Sequence, residues 1–367
     1  MGLHLLNKPR LHPSYYVITV PDSNEIQLQC EGRTVRLSPS SSPDSPRLLN
    51  KLIVALDGTH TISEIVQNLG EFDESQIVDA LHRLYDARLL DDVAPLGTAL
   101  SADQRESYAS QINFFSHFTN GAYAVQETLT RSSVTVLGLG PLGLHTLGSL
   151  ADNGVGKLIG IAFATESCAE VHDLTGHQPT TRCPKSGYRR VTLADRDASS
   201  IAAAVRGTDI LIVTLDHHDP QLLDKANEAC LQTGTRWLPV GLRASEGYVG
   251  PTVIPRQTAC YKCYDLRMKA NLVNYEPYRL YEEHLCAVEH RLAFGSLPQF
   301  ARIVADLAAT EVLKVLTHFS PVTSYGRMFT LNFLTLAGEF QEILKLPRCP
   351  MCGEPSQHRP MMKPWSE

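Results

Sequence analysis

The chain has 367 residues, 43% of them hydrophobic and 20% charged, a balance that excludes a wholly disordered or collagen-like polymer. At roughly 150 residues per domain, the length predicts two to three domains. Its 33 basic and 39 acidic residues leave a formal charge of −6, with no long basic run to recommend a nucleic-acid partner. No stretch approaches the ~18 consecutive apolar residues of a membrane span, and residues 1–9 break before a signal-peptide apolar segment develops. The expectation is a cytoplasmic protein with neither nucleic acid nor membrane as partner.

In chain order, three strand-like runs come first, at residues 15–20, 25–30 and 33–37, with Asp22-Ser23-Asn24 and Glu31-Gly32 as turns. Residues 39–46 form a Ser/Pro-rich loop. Three helix-period segments follow at 48–56, 62–69 and 75–87; Thr61 is positioned as an N-cap, Gly70 as a stop, and Ile77, Leu81 and Leu84 mark the apolar face of the third. Residues 1–92 thus read as a winged-helix-like module. Its third helix follows Asp73 and Glu74 and sets Asp79 against His82 and Arg83, so it lacks the basic face that phosphate contacts require. Docking or dimerisation is the expected role.

That order of elements, and the run Ala55-Leu56-Asp57-Gly58-Thr59-His60-Thr61-Ile62-Ser63-Glu64-Ile65, resembles the PqqD-like recognition element of ribosomal-peptide maturation enzymes. The resemblance implies that a leader peptide adds as an extra strand at the sheet edge, where unpaired backbone groups supply affinity. Residues 93–132 read as a connector, with an amphipathic helical stretch at 105–131 carrying Ile112, Phe115 and Phe118 and breaking at Asn120-Gly121.

Residues 133–367 open on a buried-strand pattern, Ser133-Val134-Thr135-Val136-Leu137, followed by Gly138-Leu139-Gly140-Pro141-Leu142-Gly143 and a helical run at 144–153. Strand, G-x-G-x-x-G and helix in that order predict a Rossmann-like fold, because the glycines let backbone approach a pyrophosphate at a helix N-terminus. A second strand at 158–163 should end in an acid that holds ribose; Ala164-Thr165 stand there, with Glu166 slightly late. Further strands are predicted at 209–216, ending in Asp216, and at 237–242. A long helix is predicted at 297–319, with Ile303, Leu307 and Leu313 buried, and then strands at 328–336 and 339–344 around Ala337-Gly338.

Nine cysteines, an odd number, argue against a full disulfide framework. Four form two C-x-x-C pairs, Cys260-Tyr-Lys-Cys263 and Cys349-Pro-Met-Cys352. Four thiolates satisfy tetrahedral zinc and leave no open position, so the pairs predict a structural ion; a redox disulfide in either pair is the alternative. Cys30, Cys168, Cys183, Cys230 and Cys286 are scattered, and only Cys183, beside Arg182 and Lys185, has the cationic surroundings of a reactive thiol.

The glycine loop, Asn153-Gly154-Val155-Gly156-Lys157-Leu158, the strand ending in Asp216 and the two cysteine pairs, in this order, resemble the ThiF/ubiquitin-activating superfamily over residues 105–353. Active members adenylate a carboxylate with Mg-ATP. The resemblance implies Gly138, Gly140 and Gly143 around the phosphates and Asp216 on magnesium. The family's phosphate-binding Arg is replaced by His177, and a charge carried at pH 7 only by an always-ionised Arg is thereby weakened; Lys185, Arg189 and Arg190 are the substitute cations. A degenerate or absent ATP site is the favoured expectation.

The recognition element joined to this domain, together with the run from Gly250 to Arg267, resembles the ocin-ThiF-like partner proteins of thiazole/oxazole-modified peptide pathways. In that family the partner captures the precursor leader and a separate YcaO protein uses ATP to form azoline rings. Tethering makes each encounter of core peptide and active site effectively intramolecular. The resemblance also implies a homodimer. An autonomous enzyme adenylating side-chain carboxylates of a precursor, as in pantocin-type maturation, is the alternative; it would use ATP and magnesium with Lys185, Arg189 and Asp216. An NAD-dependent dehydrogenase with Glu166 on the ribose is a third, which the double zinc knuckle disfavours.

Overall fold

A computed structural model describes residues 6–20, 25–38, 45–93, 98–164, 187–287 and 295–353. The chain divides into two units, Met1–Glu127 and Thr128–Glu367.

The first unit begins with β1 (Pro9–Leu11), whose partner is β5 (Leu90–Asp92), 81 residues on in antiparallel register with Arg10 opposite Asp91. Neither short strand has a hydrophobic alternation long enough to be read from sequence. Between them a three-stranded antiparallel sheet, β2 (Tyr16–Thr19), β3 (Ile26–Cys30) and β4 (Arg33–Leu37), matches the predicted runs and has β3 at its centre. Helices α1 (Ser45–Ala55), α2 (Ile62–Asn68) and α3 (Glu74–Asp86) follow. Thr61 caps α2 as predicted, in a box where its hydroxyl accepts from the Glu64 N–H and the Glu64 carboxylate accepts from the Thr61 N–H. Leu28, Leu52, Ile65, Ile77 and Leu81 meet in one core, which explains why the apolar stripes of all three helices face one way.

The stretch expected as one broken helix forms three, α4 (Ala102–Ser107), α5 (Ala109–Ser116) and α6 (Ala122–Arg131). Ser101 caps α4 in a second reciprocal box with Gln104. The break at Asn120-Gly121 falls between α5 and α6; the earlier one at Tyr108 has no glycine or proline to announce it.

The second unit is built on an eight-stranded mixed sheet ordered β13-β12-β11-β10-β9-β6-β7-β8. Its parallel part consists of β10 (Arg236–Arg243), β9 (Ile210–Leu215), β6 (Ser133–Leu137), β7 (Lys157–Phe163) and β8 (Gly187–Leu193). Three strands, β11 (Glu246–Val249), β12 (Arg327–Asn332) and β13 (Gly338–Glu342), extend it antiparallel. Every residue of β6 and β9 is buried, so helices cover both faces, as parallel sheets require. Leu137, Ile161, Leu211, Val213 and Trp237 point to one face and share a core with α8 (Ala198–Ala204) and α9 (Pro220–Thr233). On the sheet, α7 (Pro141–Asp152) packs against β6, β7 and β9, and α12 (Pro298–Thr317) packs on α7, β10 and β11. Two further helices, α10 (Tyr261–Ala270) and α11 (Tyr275–Ala287), follow the β10–β11 hairpin. No helix among the described residues is long and apolar enough to cross a membrane.

Candidate functional sites

The glycine loop lies where β6 turns into α7, at the C-terminal end of the parallel strands. Each of its glycines answers a close approach. Gly138 has φ +100°, and a Cβ there would lie 2.4 Å from the Thr214 carbonyl oxygen. At Gly143 a Cβ would meet the Gly138 carbonyl oxygen at 1.8 Å. At Gly140 it would meet the Asp216 carboxylate at 2.1 Å. The sequence gives no prominence to Thr214, yet its buried hydroxyl donates to the Gly138 carbonyl at 2.7 Å and fixes the turn. Its signal is a lone polar side chain in the otherwise apolar run Ile210–Leu215.

Asp216 is brought to the loop, as the spacing suggested: Oδ1 accepts from the Leu142 N–H at 3.1 Å, in the first turn of α7. One backbone donor of the helix N-terminus is thereby taken by a fixed carboxylate, and negative charge stands where a pyrophosphate would otherwise sit. The cradle therefore fits a nucleotide in its backbone and needs a cation to do so in its charge. Ala164, past the end of β7, offers no ribose-binding acid. Glu166, His177, Lys185 and Cys183 lie outside the described residues. Arg189 falls within β8, opposite Ile159, whereas Gly138 follows Leu137, which is opposite Ile161, and is two strands away. Arg189 and its exposed neighbour Arg190 belong to an edge strand, where outward charges blunt further pairing.

The cysteine pairs converge. Cys260 N-caps α10 and Cys263 sits in its first turn, while Cys349 and Cys352 lie in the segment beyond β13. Sulfur separations are 3.9 Å between Cys260 and Cys263, 3.7 Å between Cys260 and Cys349, and 3.5 Å between Cys263 and Cys352, with all four atoms within 4.8 Å of one another. A tetrahedral ion with about 2.3 Å metal–sulfur bonds spaces its ligands about 3.8 Å apart, whereas a disulfide needs about 2.05 Å. The four thiols form a group that could hold a metal ion, and the spacing is compatible with zinc. The Leu346 N–H points at the Cys263 sulfur at 3.4 Å, and the Gly353 N–H returns to the Cys349 carbonyl at 2.9 Å, so backbone donors help fix the positions of the thiols. Arg267 reinforces the return of the chain by donating to the Leu344 carbonyl at 2.8 Å. Cys230 is buried in the core on α9, and burial pushes its thiol well up, which leaves it inert.

The first unit presents an open strand edge. Among the described residues β4 pairs with β3 alone. Its register places Cys30 opposite Arg33 across the two-residue turn Glu31-Gly32, with Gly32 at φ +78°. A two-residue hairpin closes on a hydrogen-bonded pair, so Thr34 and Arg36 direct their N–H and C=O groups away from β3. Beside this edge lies a cavity of about 270 Å³ lined by Arg36, Leu37, Leu48, Leu49, Arg83 and Leu84, from β4, α1 and α3.

Residues 185–353 match the ThiF family. That match lies within the second unit, from β8 to the second cysteine pair. Molybdopterin-synthase adenylyltransferase of Salmonella typhimurium is 23% identical over 244 residues, which cover 62% of this chain and 90% of that one. The fold resembles that of MccB of E. coli, determined with MccA-N7isoASN: TM-score 0.66, 17% identity, covering 94% of this chain and 99% of the other. It also resembles the heterocyclase TruD, with TM-score 0.65 and 20% identity over 95% of this chain but 43% of the other. At these identities the two structures establish the fold.

Proposed function

We propose that the protein is a leader-peptide-binding partner in ribosomal-peptide maturation, which captures a precursor on the open edge of β4 and presents it to a separate YcaO-type cyclodehydratase. Residues 1–92 are the PqqD-like, winged-helix-like recognition element, and the ThiF-type domain is a body braced by structural zinc on Cys260, Cys263, Cys349 and Cys352. The observation that carries this reading is the β4 edge itself: outward N–H and C=O groups at Thr34 and Arg36 stand beside a cavity with an apolar floor and a rim of mixed charge, where Arg83 is paired with Asp79 at 2.7 Å. Backbone groups of an added strand supply affinity there, and the cavity receives a side chain. The likeness to a heterocyclase and to a microcin C7 biosynthetic enzyme bound to N-formylated MccA supports a peptide as the ligand and ring formation as the context. Zinc supplies no chemistry to the peptide in this reading; with four protein ligands it ties the chain beyond β13 to α10. A homodimer is part of the proposal.

A second reading, ATP-dependent adenylation of precursor carboxylates by this chain alone, is favoured by the intact glycine cradle, by Asp216 as a magnesium ligand and by the adenylyltransferase relative. The two part on nucleotide use. Full-length protein mixed with ATP and precursor should release neither AMP nor ADP above background until a YcaO protein is added; robust unaided turnover refutes the scaffold reading. Peptide capture is tested at Arg36, whose N–H takes no part in the β3–β4 ladder. Arg36→Pro removes one outward donor worth about 0.5–1.5 kcal/mol and places a ring against the incoming strand, so affinity should fall about tenfold or more with the fold intact. Unchanged precursor affinity in a folded Arg36→Pro protein refutes strand addition at this edge.

A further inference from the structure

Charged side chains around α10 and α11 are matched to partners. Lys262 bonds Asp224 and Asp265, each at 2.9 Å; Lys269 bonds Asp265 at 2.8 Å and Glu282 at 2.6 Å; Arg196 bonds the buried Asp219 at 2.7 Å. Arg243 breaks the pattern: among the described residues no carboxylate pairs with it. Its guanidinium lies 4.7 Å from the ring centroid of Tyr248, with Tyr264, Tyr261 and Tyr278 close enough to act on its charge. Tyr248, Tyr261 and Tyr264 are buried, whereas Arg243 keeps one side in solvent.

The backbone under this group is fixed. Arg243 pairs with Glu246 across a two-residue turn whose first residue, Ala244, has φ +53°, in the left-handed region that a non-glycine residue seldom enters. Gly241 is required beneath it, since a Cβ there would meet the Tyr248 hydroxyl at 2.5 Å. The register of β9 with β10 sets Gly241 opposite Leu215, which places Arg243 level with His217, immediately past Asp216. Two strand spacings, roughly 10 Å, separate it from the glycine turn. A guanidinium laid on an aromatic face is partly desolvated and pre-oriented, and its free donor edge matches a carboxylate in two parallel bonds.

We propose that Arg243, seated on Tyr248, is a carboxylate-recognising site that engages an acidic group of the captured peptide at the C-terminal edge of the sheet. The site rests on the peptide-binding reading above. A monoanion is the class it takes: one guanidinium is offered, and Asp216, Asp219 and Glu282 in the surrounding segments disfavour a dianion. A side-chain carboxylate and a C-terminal carboxylate share this chemistry.

The test uses full-length protein labelled with 15N-arginine, in which the Arg243 Nε–Hε signal is identified by its loss in Arg243→Gln. Three probes are titrated: N-acetylglutamic acid α-amide, which carries only a side-chain carboxylate; N-acetylalanine, which carries only a terminal one; and N-acetylglutamine amide, which carries none. A saturable shift of the Arg243 signal is expected with at least one carboxylate probe, with a dissociation constant on the order of millimolar, and the probe that binds more tightly identifies the source. The response should persist more weakly in Arg243→Lys when followed on Tyr248 and Tyr264 resonances, and fall at least about tenfold in Arg243→Gln. Equal shifts with the neutral probe, no saturation with either carboxylate, tighter binding of inorganic phosphate, or an undiminished response in Arg243→Gln would each overturn the site. The Arg36→Pro protein separates the two readings. Carboxylate binding lost while precursor capture is intact removes this site alone; capture lost for every precursor while the Arg243 response persists bears on the β4 edge alone.

Discussion

His12 sets a pH limit on the first unit. Only 1% of it is exposed, and it packs 5.0 Å from the His117 ring and 5.9 Å from the Tyr15 ring. Nδ1 accepts from the Ser14 N–H at 3.2 Å, so the proton sits on Nε2, which contacts the Ser116 hydroxyl. A second proton would set a donor against the Ser14 N–H and a charge into the core; burial accordingly holds the pKa down to about 4, with His117 and Arg10 adding to the effect and Asp91 opposing it. Because the folded pKa lies below the unfolded value of 6.5, the unfolded chain binds a proton that the folded chain refuses, and stability falls as pH drops through that window. Between pH 7 and pH 4.5 the loss from this residue is about 2.4 kcal/mol, a large share of a typical 5–15 kcal/mol. His12→Gln keeps a donor toward Ser116 and cannot titrate. Hydrogen–deuterium exchange of β1, β5 and α5 amides should show the wild-type unit losing about 2.4 kcal/mol more than His12→Gln over this range, since all other groups contribute to both proteins. Equal pH slopes, or a His12 resonance in the folded protein titrating near its ordinary value, would refute the argument.

Metal analysis should give about one zinc per chain, and Cys349→Ser or Cys352→Ser should lose most of it and release the segment beyond β13 to rapid exchange; a folded, metal-free wild-type protein would overturn the knuckle assignment. Gly143→Ala should destabilise the second unit by about 3 kcal/mol because its Cβ would run into the Gly138 carbonyl and the Thr214 hydroxyl, whereas Gly148→Ala, in the same helix with open space around it, should be neutral or stabilising by about 0.5–1 kcal/mol in chemical denaturation. Similar losses from both would mean that helix propensity, not the tight turn, governs α7. Val35→Pro should unfold the small sheet, since its N–H points toward β3, while Arg36→Pro should not; circular dichroism and proteolysis distinguish them.

Elements with strong periodicity were legible: β2 to β4, the three helices after them, β6, β7, β9, β10 and α12 fall where residue patterns place them. What escaped was set by distant partners. The strand β1 exists because the backbone at residues 90–92 lies opposite it, and β8 because β7 offers an open edge; its Arg189-Arg190 pair obscures any alternation. Helices α9, α10 and α11 follow turns whose direction no local signal gives. At the sites, the glycine loop and cysteine pairs are local motifs and could be read as such. Thr214 and Arg243 act through neighbours contributed by other strands and helices, so their significance becomes visible only in three dimensions.

The cysteine cluster also imposes an order on biosynthesis. Cys352 is polymerised 89 residues after the Cys263 it faces. During translation the first knuckle emerges as a two-thiol half-site, able to hold metal only weakly or to pair with the wrong thiol, until the ribosome has released the second. The first unit, by contrast, has every residue of its core in the tunnel-free chain long before then. A nascent polypeptide of this kind would complete its open β4 edge early and its four-thiol cluster late; if the cluster takes zinc, as proposed, scarcity of the metal would leave molecules whose first unit is finished and whose second is not.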